Sequence, residues 1–334
     1  MDSNIVKYSD AKRIMIAAYK SREPVFLAGA PGCGKSALGW EIAKELTGKD
    51  PVDIRTTLID PVDLRGIPTI DQNGQTHWAT PDFLPTDGRV IILEELPNAP
   101  QSVQSACLQP VYDRCLGDWK MHPDAWIIGT GNRVQDRAGS GRLISSLRGR
   151  MLMLELQANL EDWLVWADSI NIPMDIKQFL RFRPALFSAF AADDDASPTA
   201  RGWHKVAKLV PNLPLDLRLP AISGLVGQGA AIELIAFLKI KDQLPDPKEV
   251  LATPEKAVIP DDPATMYALV GALVEVMDKV NINALMTYAI RLNKASKAEF
   301  SVLLVTEAMK KDQTGVCKAK SFNEWVTFNK NVIS

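Results

Sequence analysis

The stretch "PVFLAGAPGCGKSALGWEIAKEL", residues 24–46, decides the fold. It begins with an apolar run that ends on glycine, "PVFLAG" (24–29), and it closes with "KSALGWEIAKEL" (35–46), where apolar residues recur at three- and four-residue intervals. The first pattern predicts a short buried strand and the second an amphipathic helix. The junction, "GAPGCGKS" (29–36), fits G-x-x-x-x-G-K-[ST]. In a strand–loop–helix setting this spacing lets consecutive backbone N–H groups turn toward one anion, and the helix N-terminus adds positive potential. Gly29, Ala30, Pro31, Gly32, Cys33, Gly34, Lys35, Ser36 and Ala37 are therefore the candidate phosphate-binding residues. Lys35 has the reach for the β- and γ-phosphates of a nucleotide, and the Ser36 hydroxyl is a ligand type for Mg²⁺.

Working outward, β-type runs occur at "VDIRTT" (52–57), "VIIL" (90–93), "WIIGT" (126–130) and "MLMLEL" (151–156). Helical patterns separate them, most clearly "SVQSACLQPVYDR" (102–114), and an earlier helix is expected at "AKRIMIAAYK" behind a Ser9-Asp10 cap. Strands that alternate with helices imply parallel βαβ units, hence an α/β sheet with helices on both faces. One interruption, "GIPTIDQNGQTHWATP" (66–81), carries Asn73-Gly74 between two β-type pieces and predicts an inserted hairpin. After Leu156 the strand signals fade into helical patterns: "LEDWLVWADS", "MDIKQFLRFRPALFSAFAA", and "SPTARGWHKVAKLV" with Ser197-Pro198 as its expected cap. The remainder is helical too, divided by the proline-rich stretch at 245–263, where Asp262-Pro263 opens another helix.

The run "RVIILEELPNAP" (89–100) ends a fully apolar strand on Glu94 and Glu95. A strand parallel to the phosphate-loop strand delivers its C-terminal end to the same sheet edge, where ligands bind. There one acid can hold Mg²⁺ and the second can orient and deprotonate an attacking water. The metal offsets the repulsion between two adjacent carboxylates.

Composition narrows the class. The chain has 334 residues, 46% hydrophobic and 23% charged, with a net charge of -2. These values suit a globular protein with room for two or three domains and give no basic footprint for nucleic acid. The four cysteines (33, 107, 115, 317) have no CxxC spacing, and His77, His122 and His204 are scattered. That argues against a disulfide or zinc framework and suits a reducing compartment. The N-terminal twenty residues carry acids and do not read as a secretory signal, and no apolar run approaches the ~18 residues needed to span a bilayer. The expected location is the cytoplasm, without membrane insertion.

Taken in order, "GAPGCGKS", "DLRGIP" (63–68), "VIILEELPNAP", "WIIGTGNR", "SSLRGRM" and "SPTARGW" resemble the AAA+ ATPases, most closely the MoxR-like and dynein-related group. The resemblance covers about residues 1–210 and implies a nucleotide-binding α/β domain at 1–156 and a helical lid at 157–210; the residue patterns alone give an α-helical C-terminal region at 211–334. It implies ATP and Mg²⁺, with Glu94 as the Walker B metal acid in a place where the group usually has Asp, and Glu95 as the catalytic base. Asn132 resembles sensor 1, which places the attacking water. Arg150 aligns with the family's arginine that acts at a neighbouring subunit's site, with Arg148 as an assisting residue; a planar guanidinium there suits the charge of a transferring phosphoryl group. Arg201 resembles sensor 2. Residues that act in trans imply a homo-oligomer, by resemblance a hexameric ring.

The function this implies is an ATP-driven ring motor that remodels or activates a protein partner, often one with a metal-dependent adhesion-type domain. Two alternatives stand beside it: a nucleic-acid-associated motor or NTPase subunit of a restriction-like or phage complex, and a nucleotide-switched structural ring with slow hydrolysis. The net charge favours the protein partner. His77 and Trp78 on the inserted hairpin, and the basic loop at 133–142, are the candidate contacts to a substrate. Hairpin packing is the competing reading for the first pair, a solvated connection that for the loop.

Overall fold

Apolar residues at successive positions of the central strands bury both faces of one sheet. In a computed structural model, which describes residues 4–136, 141–241 and 244–330, the strands are β1 (Ile5–Val6), β2 (Val25–Gly29), β3 (Val52–Arg55), β4 (Ile67–Ile70), β5 (Thr76–Ala79), β6 (Val90–Glu94), β7 (Cys115–Leu116), β8 (Trp119–Lys120), β9 (Trp126–Gly131) and β10 (Leu152–Leu156). Six of them form a parallel sheet in the order β1-β10-β2-β9-β6-β3. Alternate residues feed two cores. Val25, Leu27, Val90, Ile92, Trp126 and Ile128 pack with Ala11, Met15, Leu38 and Ile42 of the helices Tyr8–Lys20 and Lys35–Thr47. Phe26, Ile91, Leu93 and Ile127 pack on the other face with Val103, Cys107 and Val111. Burial on both faces is why these strands read as continuous apolar runs rather than alternating ones.

The inserted hairpin is present as β4 and β5, paired antiparallel, with Gly74 at φ 77° and the Asp71 carboxylate accepting the N–H groups of Asn73 and Gln75. Several local expectations shift. The first helix starts at Tyr8, ahead of the Ser9-Asp10 pair. The 102–114 pattern divides into Gln101–Ala106 and Leu108–Tyr112, because Pro110 has no N–H to donate to the preceding turn. The helix beginning at Met174 stops at Phe182, since Pro184 biases Arg183 (φ -124°, ψ 64°) away from helical geometry. The helix Ala200–Leu209 is capped by Thr199, whose hydroxyl accepts the Gly202 N–H at 3.0 Å, in place of the expected Ser197.

The chain divides into two compact units, Met1–Val165 with Ser188–Gly202, and Trp166–Phe187 with Trp203–Ser334. The first holds the sheet. The second is helical among its described residues, with a core built from Met266, Leu269, Leu273, Leu285, Met286 and Leu304. Asp262 caps the helix Pro263–Val276 through the Thr265 N–H, as its Asp-Pro pair predicts. In the stretch "FLRFRP", Arg181 is largely buried and bonded to Glu307 at 2.6 Å, while Arg183 lies over the Phe182 ring and pairs with Glu233. No helix among the described residues is long and apolar enough to cross a membrane.

Candidate active site

Strand β2 ends on Gly29, and the helix Lys35–Thr47 begins six residues later. The turn between them needs backbone conformations that side chains resist: Gly34 caps the helix at φ 108°, and Gly32 lies at φ 75°. Gly32 is also crowded, since a Cβ there would sit 3.0 Å from Thr199 Oγ1 and 3.3 Å from Arg201 Cβ. The Arg201 N–H donates to the Gly32 carbonyl at 3.3 Å, so the start of the Ala200–Leu209 helix rests on the loop. Lys35 Nζ donates to the carbonyls of Gly29 (2.8 Å) and Ala30 (3.0 Å) and to Asn132 Oδ1 (3.0 Å). Burial lowers the Lys35 pKa, and the positive charge of Arg201 adds to that, while Cys33, Asp136 and Glu94 oppose it. Burial pushes the Cys33 thiol up, with Lys35 opposing.

Sheet order explains how Lys35 meets Asn132. Strand β9 lies between β2 and β6, pairing Ala28 with Gly131 on one side and Gly129 with Leu93 on the other. The residues just past those pairs, Asn132 and the Glu94-Glu95 pair, therefore emerge at the same edge as the loop. Glu94 is the last residue of β6 and half-buried, and its Oε2 accepts a short hydrogen bond from the Thr130 hydroxyl. Its Oε1 is buried and has no hydrogen-bond partner. Glu95 is exposed at φ 57°, in the left-handed region, where a side chain costs roughly 1–2 kcal/mol. Strain of this kind clusters at functional sites. Pro97 follows within the short 3-10 turn Leu96–Asn98, which ends the strand.

The arginines differ in their surroundings. Arg150 donates to the Ser146 carbonyl at 3.0 Å and lies 4.9 Å from the Tyr112 ring centre. Arg148 is also exposed; its guanidinium has no hydrogen bond or ion pair among the described residues, and it lines a cleft of about 470 Å³ together with Asn132, Arg133 and Arg142. Arg133 is bound to Asp136 and to Glu155, which ties the first part of the 133–142 loop to its own unit; residues 137–140 lie outside the described residues. On the inserted hairpin, Arg65 lies over the Trp78 ring, the Trp78 N–H donates to Asp118, and His77 pairs with Asp71, which fits the packing reading.

Three site residues have little or no signal in the sequence. Thr130 is a hydroxyl inside an otherwise apolar strand, which is a faint one. Thr56 is fully buried and donates to the Glu94 carbonyl at 2.8 Å. Tyr8 places its ring beside Gly34 and donates to Glu41 at 2.6 Å, a contact that no local pattern announces.

A parallel sheet with a glycine phosphate loop on one strand and an acid pair at the same edge defines a phosphate-loop nucleoside triphosphatase. Residues 24–151 match the family model of the AAA domain, dynein-related subfamily. The chain carries an AAA ATPase domain of that subfamily across those residues. Among solved structures, NtrX from Brucella abortus is similar at 14% identity and TM-score 0.38, over 89% of this chain and 67% of that one. The RuvB Holliday junction branch migration motor of Thermotoga maritima is similar at 18% identity and TM-score 0.41, over 80% of each chain. No curated protein matches the chain.

Proposed function

We propose that this chain is an ATP-hydrolysing motor that assembles as a homo-oligomeric ring, most simply a hexamer, and uses its cycle to remodel or activate a protein partner. The contact between Lys35 and Asn132 carries the catalytic part of this reading, because it joins the γ-phosphate-binding lysine to the group that places the attacking water. Glu95, exposed at the strand end, takes the proton of that water. Ser36 and Glu94 would hold Mg²⁺, and the unpaired Glu94 Oε1 fits that assignment. Among the described residues no group of three or more acids, histidines or cysteines could hold a metal. A Mg²⁺ ion bound through one or two protein ligands plus the phosphates suits such a donor set. When bound, the ion neutralises charge on the β- and γ-phosphate oxygens. Arg201 reads the nucleotide in its own subunit, and Arg148 or Arg150 acts on the neighbour's. The net charge of -2 supports a protein partner over nucleic acid.

Glu95→Gln tests the reading. The variant is expected to bind ATP and form the ring while turnover falls by about 10²–10⁴, the usual contribution of a general base. Lys35→Ala should lose nucleotide binding itself. Full hydrolysis by Glu95→Gln would remove Glu95 from the base role. Used as a trap, the ring should retain a protein; strong stimulation of its ATPase by DNA, with steep salt dependence, would replace that partner with nucleic acid.

A further inference from the structure

Thr130 is 1% exposed in β9 and makes two bonds with one oxygen. Its Oγ1 accepts the Glu95 N–H at 3.3 Å, and its O–H donates to Glu94 Oε2. A hydroxyl has a single proton, so this donation is its only one. From the other side of β6, in the 3-10 turn Thr56–Leu58 that follows β3, the Thr56 hydroxyl donates to the Glu94 carbonyl at 2.8 Å. The acid is therefore held at its backbone carbonyl by Thr56 and at its side chain by Thr130. The one polar atom left over is Glu94 Oε1, buried without a partner. A buried polar atom without a partner is costly, which marks it as an oxygen kept for a ligand.

We propose that Thr130 is the positioning residue of the metal acid. Its hydroxyl engages Oε2 so that Oε1 is the oxygen presented to Mg²⁺, and it pins the amide of Glu95, whose left-handed turn directs the base. The additional methylene of Glu94 relative to Asp lets its carboxylate reach the hydroxyl on the adjacent strand. One hydroxyl thus sets both acids in register. This inference rests on the assignment of Glu94 as a Mg²⁺ ligand.

The test measures the affinity of a fluorescent ADP analogue with Mg²⁺ and with EDTA, in the native 334-residue chain and three variants. Thr130→Val removes the hydroxyl and keeps the shape; Thr130→Ser restores the hydroxyl; Glu94→Gln removes the carboxylate. Thr130→Val is expected to bind nucleotide in EDTA as the native protein does. The Mg²⁺ concentration giving half of the Mg²⁺-dependent tightening should rise about 10- to 100-fold, the usual effect of losing a group that orients a metal ligand. Thr130→Ser should return it to within a few-fold of native. If the valine variant does not fold, Thr130→Ala carries the same expectation. Native Mg²⁺ dependence in the folded hydroxyl-free variant, or equal losses with and without Mg²⁺, would overturn the role of Thr130. If Glu94→Gln itself leaves the Mg²⁺ effect intact, the assignment of Glu94 fails instead, so the two failures are distinguishable.

Discussion

Glu95 combines two features that a surface acid would not need together, an exposed carboxylate and a left-handed backbone at φ 57°. The strain is sustained by the hydrogen bond its N–H donates to Thr130 Oγ1 and by the turn that follows. The arginines can be separated on similar grounds. Arg150 is engaged by Ser146 and Tyr112 of its own subunit, whereas Arg148 has no such partner among the described residues. Arg148→Ala is therefore expected to lower turnover of the assembled protein about 10³-fold, at the low end for an arginine acting in trans, with nucleotide affinity of the isolated subunit unchanged. A steady-state assay beside a binding titration checks this; native turnover would exclude Arg148. At this scale Lys35, Glu94, Glu95 and Asn132 were legible because each sits in a contiguous pattern. Thr130 and Tyr8 were not, because their roles depend on partners 36 and 33 residues away.

Elements were legible where local chemistry and packing agree. The strand–loop–helix at 24–46, the hairpin around Gly74 and the helix opened by Asp262-Pro263 all appear where the patterns place them. They shifted where a proline or a competing hydroxyl decides the boundary, at Pro110, Pro184 and Thr199. The Thr199 cap also contacts the phosphate loop, since it lies where a Gly32 side chain would be. Thr199→Ala should destabilise the protein by about 1 kcal/mol and Thr199→Ser by far less, as read from thermal unfolding, the range usual for losing a hydroxyl cap. Equal stability of native and alanine forms would mean that the cap bond contributes nothing.

Over the whole molecule, the two compact units interleave along the chain, so that 188–202 belongs with the sheet while 166–187 belongs with the C-terminal helices. Within the helical unit a line of charges runs Lys177–Asp168–Lys310–Glu307–Arg181, each link between 2.6 and 2.8 Å. Glu307 is 2% exposed, so removing it leaves Arg181 buried with its charge uncompensated. Glu307→Ala is expected to cost about 3–5 kcal/mol, measurable as a lowered Tm. Burial raises the Asp168 carboxyl, but the Lys177 and Lys310 ammonium groups outweigh that and hold it below its ordinary value. A depressed carboxyl contributes stability above its unfolded value, near 4, and loses it as pH falls through the folded one. Stability should therefore decline on acidification below about pH 4, and Asp168→Asn should flatten that decline; an unchanged acid limb would contradict it.

The sequence by itself determined the phosphate loop, the acid pair and the alternation of strands and helices, because each depends on neighbours within a few residues. Only the tertiary structure decided which groups face one another. The insertion of β9 between β2 and β6 brings Asn132 onto Lys35 across 97 residues and the Thr130 hydroxyl onto Glu94. Spacing along a chain carries the period of a strand or helix; it does not carry the order in which strands pair.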